Sequence, residues 1–582
     1  MEEITGGELV ARMLAAEGVE VVFGIIDGSY FGLYSSLGRH GIRLVSPRHE
    51  SSAVHMAAAY ARTGGRVGVC IASNGPGAAN ALPGIAVENG EGNRVLVVTS
   101  WRRSPIVQPD RGGTYQYFDQ VGVTRPMTKW SGAAMSFERV PEAMQRAFRV
   151  LHHGRPGVVH VTVPEDVLNG KFAHARPVLS PSQYRRVEPL QPAASQVREA
   201  ASLLLGARRP LVHAGSGIVH AGASGLLAKV AEALHAPVGT SWGGRAAIDA
   251  RSPHAIPILP PLIDEVRREA DVVLALGTRF GETDWWGKPP YWGDPATQKV
   301  VQVDIDEEIL GLHRPVSLAV VSDLRQFLAA LLDEIGGRRP ANADERARRL
   351  EECGATVRQM RELLAMMAGP RDADPMRSAH VAQACREAFD DDAILVIDGG
   401  NTAVWTNLFY ENRVPGRVMT TFKFGMLGAG VGHALGAKVA HPSRQVVAIV
   451  GDGAMGMHLQ EIETAVRCGL AVTFVVLCDR QWGMVKYSQG MALDPAAMSS
   501  ARVLPEERTI NTDFGEIRFD RLAQSMGAHG ERVSTSEGLA AALRRSIDSG
   551  TCSVVHVDVD RVEHLWAPGL DVFKAMHQEP GA

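Results

Sequence analysis

The chain reads as an α/β protein of three doubly wound parallel sheets. Short apolar runs rich in β-branched residues recur at 210–214, 271–277, 300–306, 393–397, 446–450, 472–477 and 553–559. The first six lead into glycine or aspartate turn residues, and helix-like stretches lie between the runs. Runs this apolar need cover on both faces, which helices give to parallel sheets. The length, 582 residues, exceeds one core and suits three domains. Two breaks divide it. The stretch 176–192 carries Pro177, Pro181, Pro189 and Pro192 with little periodicity, and between 336 and 375 a charged helix over 344–367 is followed by Gly369-Pro370. The predicted units are therefore 1–175, 190–340 and 370–560, with a tail over 561–582.

Charge is nearly balanced, 60 basic against 64 acidic residues, so no footprint for nucleic acid is visible. The six cysteines (Cys70, Cys353, Cys385, Cys468, Cys478, Cys552) lack CxxC spacing and read as buried thiols in a reducing compartment. Met1-Glu2-Glu3 opens no basic-then-apolar leader, and no uncharged stretch reaches the ~18 apolar residues of a membrane span. The expectation is a cytoplasmic enzyme with a small-molecule substrate and no membrane or nucleic-acid partner.

Gly451-Asp452-Gly453 closes the 446–450 run, and 472–477 leads into Asp479. Read as neighbouring parallel strands, the two runs bring both aspartates to the edge where α/β sheets place ligands. Gly453 and the small Ala454 leave backbone N–H groups open to phosphate oxygens, and two hard oxygen ligands suit Mg²⁺. Asp-Gly after a strand is also an ordinary turn. Two further segments change its weight: Arg48-His49-Glu50 ahead of a helix-like stretch over 51–62, and Ser73-Asn74-Gly75-Pro76-Gly77-Ala78-Ala79-Asn80. In this order the three motifs resemble the thiamine diphosphate (ThDP) enzymes of the acetolactate synthase, benzoylformate decarboxylase and oxalyl-CoA decarboxylase group, over nearly the whole chain.

The resemblance implies roles. Glu50 matches the acid that hydrogen-bonds the aminopyrimidine ring and favours its imino tautomer, whose nitrogen takes the thiazolium proton; a helix-terminal acid is the plainer reading. Thr420-Thr421-Phe422-Lys423-Phe424-Gly425-Met426-Leu427 resembles the segment that bends the cofactor, with Leu427 wedged between its rings and the Gly425 carbonyl on its amino group. Gly400, Asn401 and Thr402, after the 393–397 run, match the second diphosphate loop, though they also suit a helix cap. The metal ligands would be Asp452, Asp479 and the backbone carbonyl of Gln481. One departure is Cys478-Asp479, where the family usually has Asn-Asn.

The paired histidines of many 2-keto acid decarboxylases are missing. Gln116 and Val121-Gly122-Val123-Thr124-Arg125-Pro126-Met127-Thr128-Lys129 resemble acetolactate synthases, but the arginine expected after Gly277-Thr278-Arg279-Phe280 and the tryptophan expected near Ser488 are absent. Tyr115-Gln116-Tyr117-Phe118-Asp119-Gln120 resembles oxalyl-CoA decarboxylases, and Ile25-Ile26-Asp27-Gly28-Ser29-Tyr30 departs from the Pro-Gly-Gly of the synthases. The subgroup this suggests is the bacterial 2-hydroxyacyl-CoA lyases, which reversibly split a 2-hydroxyacyl-CoA into formyl-CoA and an aldehyde or ketone. Tyr115 and Gln116 would then orient the thioester carbonyl while Asp27 and Ser29 line the pocket; the alternative is an acetolactate synthase-like carboligase acting on pyruvate or another 2-keto acid.

The family's middle domain offers a nucleotide platform for CoA, ADP or FAD. Gly215, Gly217, Thr278, Arg279, Asp304 and Asp323 sit at strand ends suited to it. Trp566, Phe573 and Met576 lie beyond the last predicted strand, so the tail is expected either to fold over the site as a lid, excluding water, or to pack on a neighbouring subunit. Because the family pairs first and third domains across subunits, a homodimer or homotetramer is expected.

Overall fold

The apolar runs become strands in the computed structural model, which describes residues 2–107, 109–370, 375–577 and 580. Residues 1 and 108 of the first predicted unit, 371–374 at the second break, and 578, 579, 581 and 582 of the tail lie outside the described residues. The first strands are β1 (Glu2–Thr5), β2 (Val21–Gly24), β3 (Arg43–Val45), β4 (Gly68–Ala72), β5 (Val95–Trp101), β6 (Trp130–Ala133), β7 (Val158–Pro164) and β8 (Lys171–His174). The middle of the chain adds β9 (Pro210–Ala214), β10 (Val238–Thr240), β11 (Val272–Leu276), β12 (Lys299–Asp304) and β13 (Leu318–Val321). The last third adds β14 (Ile394–Asp398), β15 (Val418–Met419), β16 (Val446–Gly451), β17 (Thr473–Cys478), β18 (His529–Val533) and β19 (Ser553–Asp558).

Three parallel sheets result, ordered β3-β2-β4-β5-β7-β6, β10-β9-β11-β12-β13 and β15-β14-β16-β17-β19-β18. The first and third share one strand order. A small antiparallel ribbon of β1 and β8, which the all-parallel expectation did not include, ties the chain start to the end of the first unit. In every sheet the first strand lies between the second and the third, so the topological switch falls at β2/β4, β9/β11 and β14/β16. Crevices for ligands open at the carboxyl ends there. β16 and β17 pair in parallel, as the two aspartate-bearing runs predict.

One apolar core is shared by the first and third sheets. The helix Glu50–Gly64 lies against Ala429–Ala440. A Cβ on Gly436 would stand 2.1 Å from the Met56 carbonyl oxygen, and one on Gly432 2.8 Å from the His55 Cβ, so these glycines permit the close approach. The helix Ala343–Ala368 fulfils the charged stretch expected over 344–367. Five cysteines are buried and Cys468 half-buried, all as free thiols. Among the described residues, no helix is long and apolar enough to cross a membrane.

The tail packs on its own chain. Phe573 meets the rings of Trp242 at 5.5 Å and Phe422 at 6.4 Å, Met576 is buried in the central core, and Trp566 stands edge-on to Tyr487 at 5.2 Å. It covers the seam between the second and third sheets.

Candidate active site

β14, β16 and β17 end side by side, which brings Asn401, Thr402, Asp452 and Asp479 to one edge. Asp452 opens the helix Asp452–His458; its Oδ1 accepts the Gly453 N–H (2.7 Å) and its Oδ2 the Arg480 N–H (2.7 Å). Arg480 has φ +55°, a left-handed turn that non-glycine residues adopt mainly where surroundings impose it. It turns the chain directly after Asp479. Gln481 follows, buried, its side-chain amide donating to the Arg561 carbonyl (2.8 Å).

Asp479 Oδ2 and both amide atoms of Asn401 are buried without a hydrogen-bond partner. They converge: a Cβ on Gly483 would lie 2.8 Å from Asn401 Nδ2 and 3.1 Å from Asp479 Oδ2. Gly451 leaves similar room, 3.0 Å, to the Thr402 hydroxyl. Burial, reinforced by the charge of Asp479, raises the Asp452 carboxyl to about 7, and burial raises Asp479 to about 7. Unpaired buried acceptors beside two carboxylates fit a divalent cation bridging to an anion. The residues thus suit Mg²⁺ and a diphosphate, with Gly400, Gly453 and Ala454 as the small residues around them.

That fit has a pH signature. Carboxyls raised from 3.8 to about 7 stabilise the metal-free fold fully below about pH 4, and this contribution is lost as pH rises through 7. A cation binds the deprotonated pair, so its stabilisation grows over the same range. Mg²⁺ is expected to raise the melting temperature clearly at pH 8 and little at pH 6, with the dependence flattened in Asp479→Asn. Equal shifts at both pH values would remove this assignment.

His564, from the tail, stands in the same place. Its Nδ1 is 2.7 Å from the Ser378 hydroxyl, and its Nε2 lies 3.4 Å from Thr402 Oγ1 and 3.9 Å from Asp479 Oδ2. Burial pushes its pKa down to about 4, leaving a neutral ring. The sequence reading did not single out this histidine, because nothing in the spacing of 561–566 marks it.

The predicted bending loop enters the helix Ala429–Ala440. Gly425 has φ +70° and donates its N–H to the Thr421 carbonyl (2.7 Å); Leu427 packs, half-buried, on the shared core. Gly428 has φ +91°, and a Cβ there would lie 2.6 Å from His458 Nδ1. The loop is pinned from outside by Glu91, whose Oε1 accepts the N–H groups of Lys423 (2.8 Å) and Phe424 (2.9 Å).

Glu50 begins its helix behind the His49 cap, is 8% exposed, and accepts from Asn80 Nδ2 (3.1 Å). Beside it the strand ends of the first sheet join in one polar network. Asp27 accepts from the Ser29 N–H (2.9 Å) and hydroxyl (2.5 Å), Ser29 meets the Ser100 hydroxyl (2.6 Å), and Ser100 accepts from the Asn74 N–H (2.8 Å). Asn74 reaches Gln116 O (3.3 Å) and Oε1 (3.4 Å), and Gln116 holds φ +55°. Thus Asp27, Ser29 and Gln116 come together, with Asp27 also capping a short turn, the bland role open to it. Tyr115 does not join them: it is 74% exposed, with the Arg102 guanidinium 6.0 Å from its ring. Gln120, fully buried, binds Thr99, Ser100 and Thr162 while accepting the Gly75 N–H (3.3 Å), so it holds the Ser73–Gly77 turn in place.

Gly215, Gly217, Thr278, Arg279, Asp304 and Asp323 all line one cavity of about 570 Å³. Their local roles differ. The turns at Gly215 and Gly277 pack backbone to backbone, and a Cβ on Gly215 would lie 2.1 Å from the Gly277 oxygen. Asp323 caps the helix Leu324–Ile335. Burial raises Asp304 to about 6. The same cavity is reached by Arg155 from the first unit and Lys423 from the bending loop, neither of which the sequence reading placed there.

Family models match in the same order: "Thiamine pyrophosphate enzyme, N-terminal TPP binding domain" over residues 4–123, the central domain over 197–331, and the C-terminal TPP binding domain over 398–557. Similar proteins include the acetolactate synthase isozyme 3 large subunit of Escherichia coli, 30% identical over 97% of this chain and 96% of the relative. The acetolactate synthase large subunit of Haemophilus influenzae is 28% identical over the same shares. A probable acetolactate synthase large subunit of Methanocaldococcus jannaschii is 27% identical over 96% and 93%.

Proposed function

Because the chain belongs to the thiamine pyrophosphate enzyme family, we propose that it is a Mg²⁺-dependent carboligase joining 2-keto acids, pyruvate foremost, with Glu50 supplied across a homodimer or a dimer of dimers. The observation that carries the metal and cofactor reading is the convergence of unpartnered Asn401 and Asp479 atoms beside Asp452. The substrate reading rests on the end-to-end likeness to acetolactate synthase large subunits, which supports 2-keto acids over the CoA thioester that Tyr115 and Gln116 suggest.

Thiamine diphosphate, when bound, supplies carbanion stabilisation. Asp452 and Asp479, with the Gln481 carbonyl, would hold the metal; Gly400, Asn401, Thr402, Gly453 and Ala454 would hold phosphate oxygens; Gly425 and Leu427 would fix the bend. Glu50 would hold the proton at the aminopyrimidine ring. The Ser29–Ser100–Asn74–Gln116 network stands next to it, suited to orienting a substrate carbonyl.

The second copy is carried over from the family, which pairs first and third domains across subunits. Within this chain Glu50 touches the first turns of the helix Pro76–Glu91, whereas Glu91 at its other end pins Lys423 and Phe424, next to Gly425.

A second reading, cleavage of a 2-hydroxyacyl-CoA, is favoured by the left-handed Gln116 inside the polar network. Purified protein with ThDP and Mg²⁺ on pyruvate and on 2-hydroxyacyl-CoA in parallel separates them. Acetolactate is the expected product; formyl-CoA with a carbonyl product would transfer the assignment to the lyase, and silence on both would withdraw both substrates.

A further inference from the structure

The bending loop is too loosely built to hold its own shape. Gly425 (φ +70°) and Gly428 (φ +91°) sit in the left-handed region, where glycine is unstrained and equally free to leave. The loop's internal bonds make one turn: the N–H groups of Phe424 (3.2 Å) and Gly425 (2.7 Å) donate to the Thr421 carbonyl, and the Thr421 hydroxyl to the Met426 carbonyl (3.2 Å). A stronger grip comes from one helix of the first unit, Pro76–Glu91. Glu91, 3% exposed, accepts the Lys423 and Phe424 N–H groups on a single oxygen (2.8 and 2.9 Å). Gly90 beside it seats the Phe424 ring, since a Cβ there would stand 2.9 Å from Phe424 Cδ2. One turn back, the fully buried Glu88 holds the helix that the loop enters. Its Oε1 lies 2.7 Å from His433 Nε2 and 2.5 Å from His55 Nδ1, and its Oε2 accepts from Asn93 Nδ2 (2.6 Å). Burial alone would raise the Glu88 carboxyl, but His433 and then His55 hold it down to about 2, so the contact joins a carboxylate to two imidazoles. From the second unit, the Ser216 hydroxyl accepts from Lys423 Nζ (3.0 Å) at the turn after β9. The two glycines therefore lie between one grip at 423–424 and another at His433.

We propose that Glu91 is a positioning residue for the bending loop, seconded by Glu88 through His433: the two carboxyls preset the Gly425–Gly428 shape that the cofactor's rings need, without touching the cofactor. The cofactor half rests on the ThDP reading above; the hold on the loop does not. Losing hydrogen bonds to a carboxylate commonly shifts an equilibrium by about tenfold or more, and cofactor affinity falls with the fraction of loop left in the binding shape.

The test uses the full-length protein. Hydrogen exchange is followed without cofactor over 425–431, amides that neither Glu91 nor His433 holds directly, and binding of ThDP and of inorganic pyrophosphate is measured in Mg²⁺ by calorimetry. Glu91→Leu is expected to speed this exchange and to weaken ThDP binding by about tenfold, while pyrophosphate, which lacks the rings, binds as before. Glu91→Gln keeps an acceptor oxygen and should stay close to wild type on every readout. Unchanged exchange in Glu91→Leu, or ThDP and pyrophosphate weakened alike, would overturn the positioning role, because general damage to the fold moves both ligands together. Should Glu91→Leu not fold, His433→Leu reads the same grip from the side of Glu88, and exchange and ThDP affinity both unmoved there would equally overturn it. Wild-type protein that binds pyrophosphate but not ThDP would overturn the ThDP reading, and the exchange result would then decide the hold on the loop by itself.

Discussion

Glu50→Gln is expected to lower turnover by about 10²- to 10⁴-fold, the range for a positioned proton-transfer group, while the melting temperature moves little. The exchange keeps shape and the acceptor that Asn80 Nδ2 contacts, and the His49 cap on the helix is untouched. What disappears is the acid. ThDP affinity should change much less than turnover, since the proposed diphosphate ligands lie elsewhere. A parallel collapse of turnover and melting temperature would return Glu50 to a helix-terminal acid of structural importance only.

Asp452→Ala removes the proposed metal ligand and two acceptor contacts to the N–H groups of Gly453 and Arg480. Loss of a charged acceptor commonly costs about 1.5–3 kcal/mol, but here it also relieves a buried carboxylate facing Asp479. The two oppose, so the metal-free fold should lose little. Cofactor affinity in Mg²⁺ should fall by at least about a hundredfold, the upper end seen for residues one shell further out. Mg²⁺ should then no longer raise the melting temperature at pH 8. Undiminished Mg²⁺ stabilisation would place the metal elsewhere.

Much of this site was legible because strand ends carry their own punctuation. Asp452 and Asp479 close runs whose apolarity announces buried parallel strands, and Asn401 and Thr402 follow a third. The charged helix and the seam-covering aromatics of the tail were equally visible as composition. What escaped depends on contacts between distant segments. His564 comes up to Thr402 and Asp479 from beyond the last strand, Gln120 acts only because Thr99, Ser100 and Thr162 surround it, and Lys423 gains meaning from Ser216 and Glu91. Tyr115, prominent in the motif, lies outside the polar network because its segment turns out to solvent while Gln116 turns in through a left-handed backbone. The β1–β8 ribbon has no counterpart in the apolar pattern, its strands being half exposed.

The central claim is an active site whose acid and metal come from different copies of one chain, and mixing two inactive variants tests it most directly. Glu50→Gln and Asp452→Ala proteins, unfolded or dissociated together and reassembled in equal amounts, should recover roughly a quarter of wild-type turnover, because half of random dimers are mixed and each holds one intact site of two. No recovery, with mixed dimers demonstrated by a tag on one variant, would contradict the account and place both residues in a site built by a single chain.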